Sequence, residues 1–186
     1  MLILLNGPPG SGKSTLAQRY VDDRPLALNL DIDRVRALLG QWPDHAQEAG
    51  LAARALTLAM ARTHLDSGHD VVIPQYLGYV DFIEQLEQLA GDARVRFHEV
   101  VLLDSKPNML RRFAERTLAA RPEHVEADAQ LRGGGEAALA EMYDRLIQLI
   151  DQRPQARIIR SADGRPHETY RRLLNVLERP GPSGVS

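Results

Sequence analysis

Gly7-Pro8-Pro9-Gly10-Ser11-Gly12-Lys13-Ser14-Thr15 is the stretch on which the reading of this chain turns. A short apolar run, Leu2-Ile3-Leu4-Leu5, precedes it, and Leu16-Ala17-Gln18-Arg19-Tyr20-Val21 follows. A glycine, four residues and then Gly-Lys-Ser, set between a strand and a helix, is the phosphate-binding loop pattern in its required context. Gly7, Gly10 and Gly12 permit backbone conformations and close approach that a Cβ would block. The loop, with Pro8, Pro9 and Ser11 between its glycines and Thr15 closing it, would curl backbone N–H groups round a β-phosphate at the positive end of the next helix. Lys13 would set a point charge on the β- and γ-phosphates, and the Ser14 hydroxyl would ligate Mg²⁺. The spacing therefore predicts a bound nucleoside triphosphate.

The 186 residues suffice for one domain with a substantial core. Apolar residues at 44% and charged residues at 26% describe a soluble globular chain. A formal net charge of -2 gives no support for nucleic acid held on a broad basic surface, although a local groove stays open. There is no cysteine, so disulfides and thiolate metal sites are absent and a reducing cytoplasm is the simplest setting. Met1 to Leu5 lacks a basic flank and runs straight into the loop, which makes it a strand and not a signal peptide. No apolar run approaches a membrane span.

Along the chain, strand and helix patterns alternate. A helix from about Lys13 to Val21 should end near Asp22-Asp23-Arg24-Pro25, and Leu26 to Leu30 reads as a second strand. The strand delivers Asp31-Ile32-Asp33 to a helix carrying Val35, Leu38 and Leu39 inward and stopping at Gly40, with Asp33 also suited to capping it. Asp44 to Leu65 predicts a long helix with Leu51, Ala55, Leu58 and Ala59 at helical spacing. Asp70 to Ile73 is a third strand ending in Pro74-Gln75-Tyr76, and a helix over Tyr79 to Ala90 should bury Phe82, Ile83, Leu86 and Leu89. A fourth strand over Arg94 to Leu103 leads through Asp104 into a helix bearing Arg111, Arg112 and Arg116. The polar, glycine-rich segment over about 117–135 predicts a lid. An amphipathic helix over Glu136 to Gln152, a strand over Ala156 to Arg160 and a helix over His167 to Glu178 complete a single domain of residues 1–178, followed by a flexible tail at 179–186. The alternation argues for a parallel five-stranded sheet with helices on both faces, an α/β fold with the phosphate loop at the carboxyl edge.

A phosphate loop alone does not separate a kinase from a nucleotide-driven switch. The second strand discriminates. Asp31 and Asp33 alternate on an extended segment and would face opposite ways unless the helix start reorients them. One carboxylate, Asp31, could help hold Mg²⁺ beside Ser14; the other, Asp33, could take a proton from an acceptor hydroxyl and orient it toward the γ-phosphate. Arg112 and Arg116, four apart on one helical face, would clamp phosphate through planar guanidinium forks.

These residues resemble the P-loop kinases of the nucleoside-monophosphate-kinase type, especially those similar to shikimate kinase, gluconate kinase, chloramphenicol phosphotransferase and polynucleotide 5′-hydroxyl kinase. GPPGSGKST, the Asp31-Ile32-Asp33 to Arg36 segment and the arginine-bearing lid carry the likeness, which runs from Met1 to about Glu178. The resemblance implies a three-layer P-loop fold with a helical lid, ATP and Mg²⁺ as cofactors, and γ-phosphate transfer to a hydroxyl of a small molecule. It implies Lys13, Asp33 and Arg116 as catalytic, Arg112, Arg116 and Arg160 as nucleotide contacts, Arg36 as acceptor anchor, and Ser14 with Asp31 at the metal. The chain departs from relatives that carry an acid after the third strand: Pro74-Gln75-Tyr76 stands there, so Gln75 and Tyr76 read as neutral acceptor-site groups. Asp104 could replace the missing acid but suits a helix cap. A polynucleotide 5′-hydroxyl kinase is disfavoured by the near-neutral charge and the absence of aromatic–basic interleaving, and a non-kinase switch would not need Asp33 with Arg36.

Overall fold

The computed structural model describes residues 1–111, 135–160 and 166–178. Its centre is β1 (Leu2–Asn6), every residue of which is buried. The sheet order is β2-β3-β1-β4-β5, with β2 at Leu28–Asn29, β3 at Val71–Pro74, β4 at Phe97–Leu103 and β5 at Arg157–Arg160. All four strand pairings are parallel. Covering both faces is what lets a strand be apolar at every position. Leu2 and Leu4 point into one core, with Phe82, Ile83 and Leu86 of α4 (Asp81–Asp92) and Leu146 and Leu149 of α5 (Gly135–Gln152). Ile3 and Leu5 point into the other, with Leu16, Ala17 and Tyr20 of α1 (Lys13–Asp22) and Tyr170, Leu173 and Leu177 of α6 (Pro166–Glu178). The period of two along one strand thus builds the two layers.

The connection from β1 to β2 runs one way across the sheet and that from β3 to β4 runs the other. Right-handed crossovers then send α1 and α4 to opposite faces. Consequently the loops that leave the neighbouring strands β1 and β3 part company at the carboxyl edge and open a crevice there.

Several expected boundaries shift for local reasons. Leu26 adopts φ 60° and is 69% exposed, so the second strand is confined to Leu28–Asn29 at the sheet edge. Arg94 at φ 54° closes the turn after α4, and β4 begins at Phe97 instead. The helix after β2, α2 (Ile32–Ala37), ends before Leu38, which is exposed where an inward position was expected. The expected inward face of the long helix α3 (Ala46–Asp66) is also corrected. Ala49, Ala53, Thr57, Ala61 and Leu65 are buried; of the residues expected inward, Leu58 is half-buried against the core, whereas Leu51 is 62% exposed and Ala55 and Ala59 are exposed. A helix rich in alanine and leucine all round has a weak apolar stripe, and close packing against α2 selects its small residues for the interface. Residues 106–111 are helical. Arg112, Arg116, nearly all of the expected lid and the 179–186 tail lie outside the described residues.

Candidate active site

The phosphate loop is built as its glycines require. Gly7, Gly10 and Gly12 take φ values of 149°, 79° and 92°, a region that side chains resist. At Gly7 space is equally restrictive: a Cβ would meet the Leu102 carbonyl oxygen at 2.5 Å and Ser11 Oγ at 2.8 Å. Lys13 Nζ donates to the carbonyl oxygens of Gly7 at 2.8 Å and Pro8 at 2.9 Å, which folds the ammonium back over the loop. Gly12 is the N-cap of α1 and offers no side-chain acceptor, while the Leu16 N–H reaches Gly12 O at 3.0 Å. The amides ahead of Leu16 therefore meet no capping side chain, and they sit at the positive pole of the helix. That donor set, with a lysine lying over it and the exposed Ser14 and Thr15 hydroxyls beside it, fits the phosphates of a nucleotide.

Across the crevice, the helix start reorients the acidic pair. Asp31 is the N-cap of α2, its Oδ1 accepting from the Asp33 N–H at 2.9 Å. The cap that the sequence allowed to Asp33 thus belongs to Asp31, and Asp33 stands in the first helical turn. Arg36 Nη2 pairs with Asp33 Oδ1 at 3.1 Å, the acid being 44% exposed, and its guanidinium lies 4.6 Å from the centre of the Trp42 ring. Burial raises the Asp33 carboxyl above the usual carboxylate range; Arg36 opposes this, Asp31 adds to it, and Lys13 and a donor contact from the Gln75 amide also oppose it. The loop lysine is thus near enough for its charge to act on the Asp33 carboxylate.

Gln75 follows β3 and continues its ladder through a backbone bond to Leu5 O at 3.1 Å. Arg36 Nε and Gln75 Oε1 are buried without a hydrogen-bond partner among the described residues, which leaves one N–H donor and one carbonyl acceptor unused on the two side chains that contact Asp33. Tyr76 is committed elsewhere: its hydroxyl donates to Met142 O at 2.9 Å and ties the loop to α5, and burial pushes its pKa up to about 12. Asp104 Oδ1 accepts from the Ser105 N–H at 2.7 Å and from Asn108 Nδ2 at 3.1 Å, but the cap expected of it falls to the next residue: Ser105 Oγ accepts from the Asn108 N–H at 3.4 Å, because the helix begins at residue 106. Arg160 ends β5, exposed, with its carbonyl taking a bond from Arg172. Among the described residues no three His, Cys, Asp or Glu side chains form a metal cage. Mg²⁺ on a nucleotide needs only one or two protein oxygens besides phosphate and water, and the Ser14 hydroxyl and the Asp31 carboxylate are of that kind.

Sequence reasoning missed Asn6. This residue is fully buried at the end of β1; its Oδ1 accepts from the N–H groups of Gly7 at 2.7 Å and Leu77 at 2.9 Å, and its Nδ2 donates to Leu77 O at 2.9 Å. The available signal was one polar residue closing an otherwise apolar run.

A family model described as AAA domain matches residues 2–133, well over half of the chain. The chain belongs to this AAA-domain family. The matched span carries the loop, the acidic pair and the Gln75 segment, while Arg160 and the α5 partner of Tyr76 lie beyond it. Two solved structures are similar over nearly their full lengths. A gluconokinase from Sinorhizobium meliloti 1021 is 18% identical with a TM-score of 0.58, covering 94% of each chain. A tunicamycin resistance protein from Deinococcus radiodurans is 16% identical with a TM-score of 0.60, covering 98% of each chain. At such identities the likeness establishes the fold, which is the P-loop kinase-like α/β arrangement expected from the sequence. No curated protein matches this AAA-domain chain.

Proposed function

We propose that this protein is an ATP- and Mg²⁺-dependent phosphotransferase that moves the γ-phosphate to a hydroxyl of a small molecule. The observation that supports the reading is the Arg36–Asp33 ion pair at 3.1 Å in the first turn of α2, a carboxylate on which the charge of the phosphate-loop Lys13 acts. ATP when bound supplies the transferable phosphoryl group, and Mg²⁺ when bound neutralises its charge. Lys13 would leave its carbonyl partners for phosphate oxygens. Ser14 and Asp31 would hold the metal. Asp33 accepts the acceptor's proton, a task suited to a carboxylate with a raised pKa, and Arg36 keeps it ionised and aimed. Gln75 Oε1 accepts from a second hydroxyl, and Arg36 Nε donates to an acceptor oxygen. Arg112, Arg116 and Arg160 are proposed to meet phosphate or nucleotide, with Arg116 neutralising charge as the phosphoryl group moves.

Incubation with γ-labelled ATP and a panel of small hydroxylated compounds should give a labelled product. Asp33→Asn should lower transfer by about 10²–10⁴-fold, the usual share of a positioned base, with ATP affinity nearly unchanged. Release of free phosphate alone from every mixture would sink the proposal and favour a nucleotide-driven switch. A second reading, transfer to the 5′-hydroxyl of a nucleic acid, draws on one observation. Arg36 lies on Trp42 while paired with Asp33, which joins an aromatic face to the acceptor anchor. Including a 5′-hydroxyl oligonucleotide in the panel decides between the two.

A further inference from the structure

Asn6 occupies the crevice itself. The β1–β3 ladder runs from Leu2↔Val71 to Leu5↔Pro74. After it, the Gln75 N–H still reaches Leu5 O. Beyond that point the backbones separate, one into the phosphate loop and the other into the segment carrying Gln75, Tyr76 and Leu77. The Asn6 side chain spans the gap as a surrogate strand residue, giving Leu77 both a donor and an acceptor. The same Oδ1 also takes the Gly7 N–H, the first amide of the phosphate loop. With one planar amide joining both walls, neither can shift without straining bonds that are buried and have no water to replace them.

We propose that Asn6 is a positioning residue that sets the width of the crevice and couples nucleotide binding to the Gln75–Leu77 segment. Phosphates settling in the cradle order Gly7, and the order passes through Asn6 to Leu77 and so to Gln75 beside Asp33. Few side chains can substitute. Aspartate keeps the shared oxygen but faces Leu77 O with a second acceptor, serine is too short to reach both walls, and leucine leaves three buried backbone groups unpaired. The proposal rests on the phosphotransferase reading only in naming that segment the acceptor side.

Hydrogen exchange read by mass spectrometry, with and without Mg²⁺ and ATP, tests the coupling and needs no acceptor. In the wild-type protein ATP should slow exchange of peptides covering residues 75–78 by at least about fivefold, the lower end of ordinary coupling between sites. In Asn6→Ala that ratio should fall to about one while peptides of the phosphate loop remain protected, and Asn6→Asp should lie between. A merely structural asparagine would raise exchange equally with and without ATP and leave the ratio intact, which would overturn the proposal. If neither variant folds, the wild-type Asn6 Nδ2 amide resonances decide: they should shift on ATP addition, and resonances that stay in place refute the coupling. Failure of the acceptor screen leaves every one of these outcomes readable.

Discussion

Replacing Gly7 with alanine tests the phosphate loop where both space and backbone conformation forbid a side chain. The new Cβ would sit 2.5 Å from the Leu102 carbonyl oxygen and 2.8 Å from Ser11 Oγ. Ser11 Oγ lies on a short side chain and can swing aside. Leu102 cannot: it is fully buried in β4, and its neighbours in the strand pair with β1 and β5. Relieving that contact is an overpacking problem of about 1–3 kcal/mol. A φ of 149° adds a further strain of about 1–3 kcal/mol for a residue with a Cβ. Taking about 4 kcal/mol for the sum, the melting temperature should fall by about 8–16 °C for a chain of this size. Gly12→Ala is the matched control. It has φ 92° but nothing within 4 Å of the added carbon, so only strain of about 1–2 kcal/mol remains, or about 2–8 °C. Thermal unfolding followed by circular dichroism gives both shifts, and calorimetric titration with ATP gives the affinities. Gly7→Ala should lose ATP binding more severely, because the loop must move off β4 to admit the methyl group. Equal shifts in the two variants, or wild-type ATP affinity in Gly7→Ala, would refute the steric argument.

Further outcomes follow from other parts of the molecule. The transfer rate should rise with pH through an inflection above the ordinary aspartate value of about 4, because Asp33 must be ionised and burial raises its carboxyl; Asp33→Asn should erase that limb of the profile. Arg153→Met should cost about 3–5 kcal/mol by urea unfolding, because it strips Glu99, bonded at 2.9 Å and buried, of its partner. Burial raises the Glu99 carboxyl and Arg153 opposes that rise, so its loss lifts the folded-state pKa further. A raised carboxyl favours folding at low pH and loses that contribution as pH climbs through the folded value, so the deficit of the variant should widen as pH rises above the ordinary glutamate value of about 4.3. Leu26→Gly should add about 0.5–1 kcal/mol and raise the melting temperature by about 1–4 °C, since an exposed leucine at φ 60° carries strain that glycine lacks. An unchanged or lowered value would show that the turn is not strained.

What could be read from the chain alone was what local chemistry determines. Leu2 to Leu5, apolar at every position, had to be a strand covered on both faces, and Gly7 to Thr15 had to follow it as an anion cradle. The five-stranded parallel sheet came from counting alternations, and the structure contains it. The α3 face escaped because Leu51 and Ala53 are equally apolar in a sequence window; only the close approach of α2 distinguishes them. Leu26 and Arg94 escaped because a positive φ in a bulky residue has no sequence signature. In the site, Lys13, Asp33, Arg36 and Gln75 were named from spacing and from the family resemblance, and the structure brings them together. Asn6 was not, because its partners are backbone atoms of Leu77, a residue 71 positions away. Side-chain bonds to distant backbone leave no pattern in either segment.

The acidic pair shows how one local event turns two acids, set to face opposite ways on a strand, toward one task. On a continued strand, Asp31 and Asp33 would project to opposite faces. Here the extended backbone stops at Asp31, whose φ of -83° and ψ of 118° are those of a strand residue, and the helix begins at Ile32. Rotation through the first turn swings Asp33 toward Lys13, and the Asp31 cap on the Asp33 N–H keeps the turn closed. A capping bond is worth about 1 kcal/mol in stability. At this position it also aims the proposed base, so its loss should appear in transfer more than in folding. Asp31→Asn keeps a capping oxygen and removes one negative charge from beside Asp33, whose pKa Asp31 helps to raise. That variant should therefore stay as stable as the wild type, shift the acidic inflection downward, and need more Mg²⁺ to reach full rate. A variant that loses stability but keeps its metal dependence would instead assign Asp31 to the helix alone.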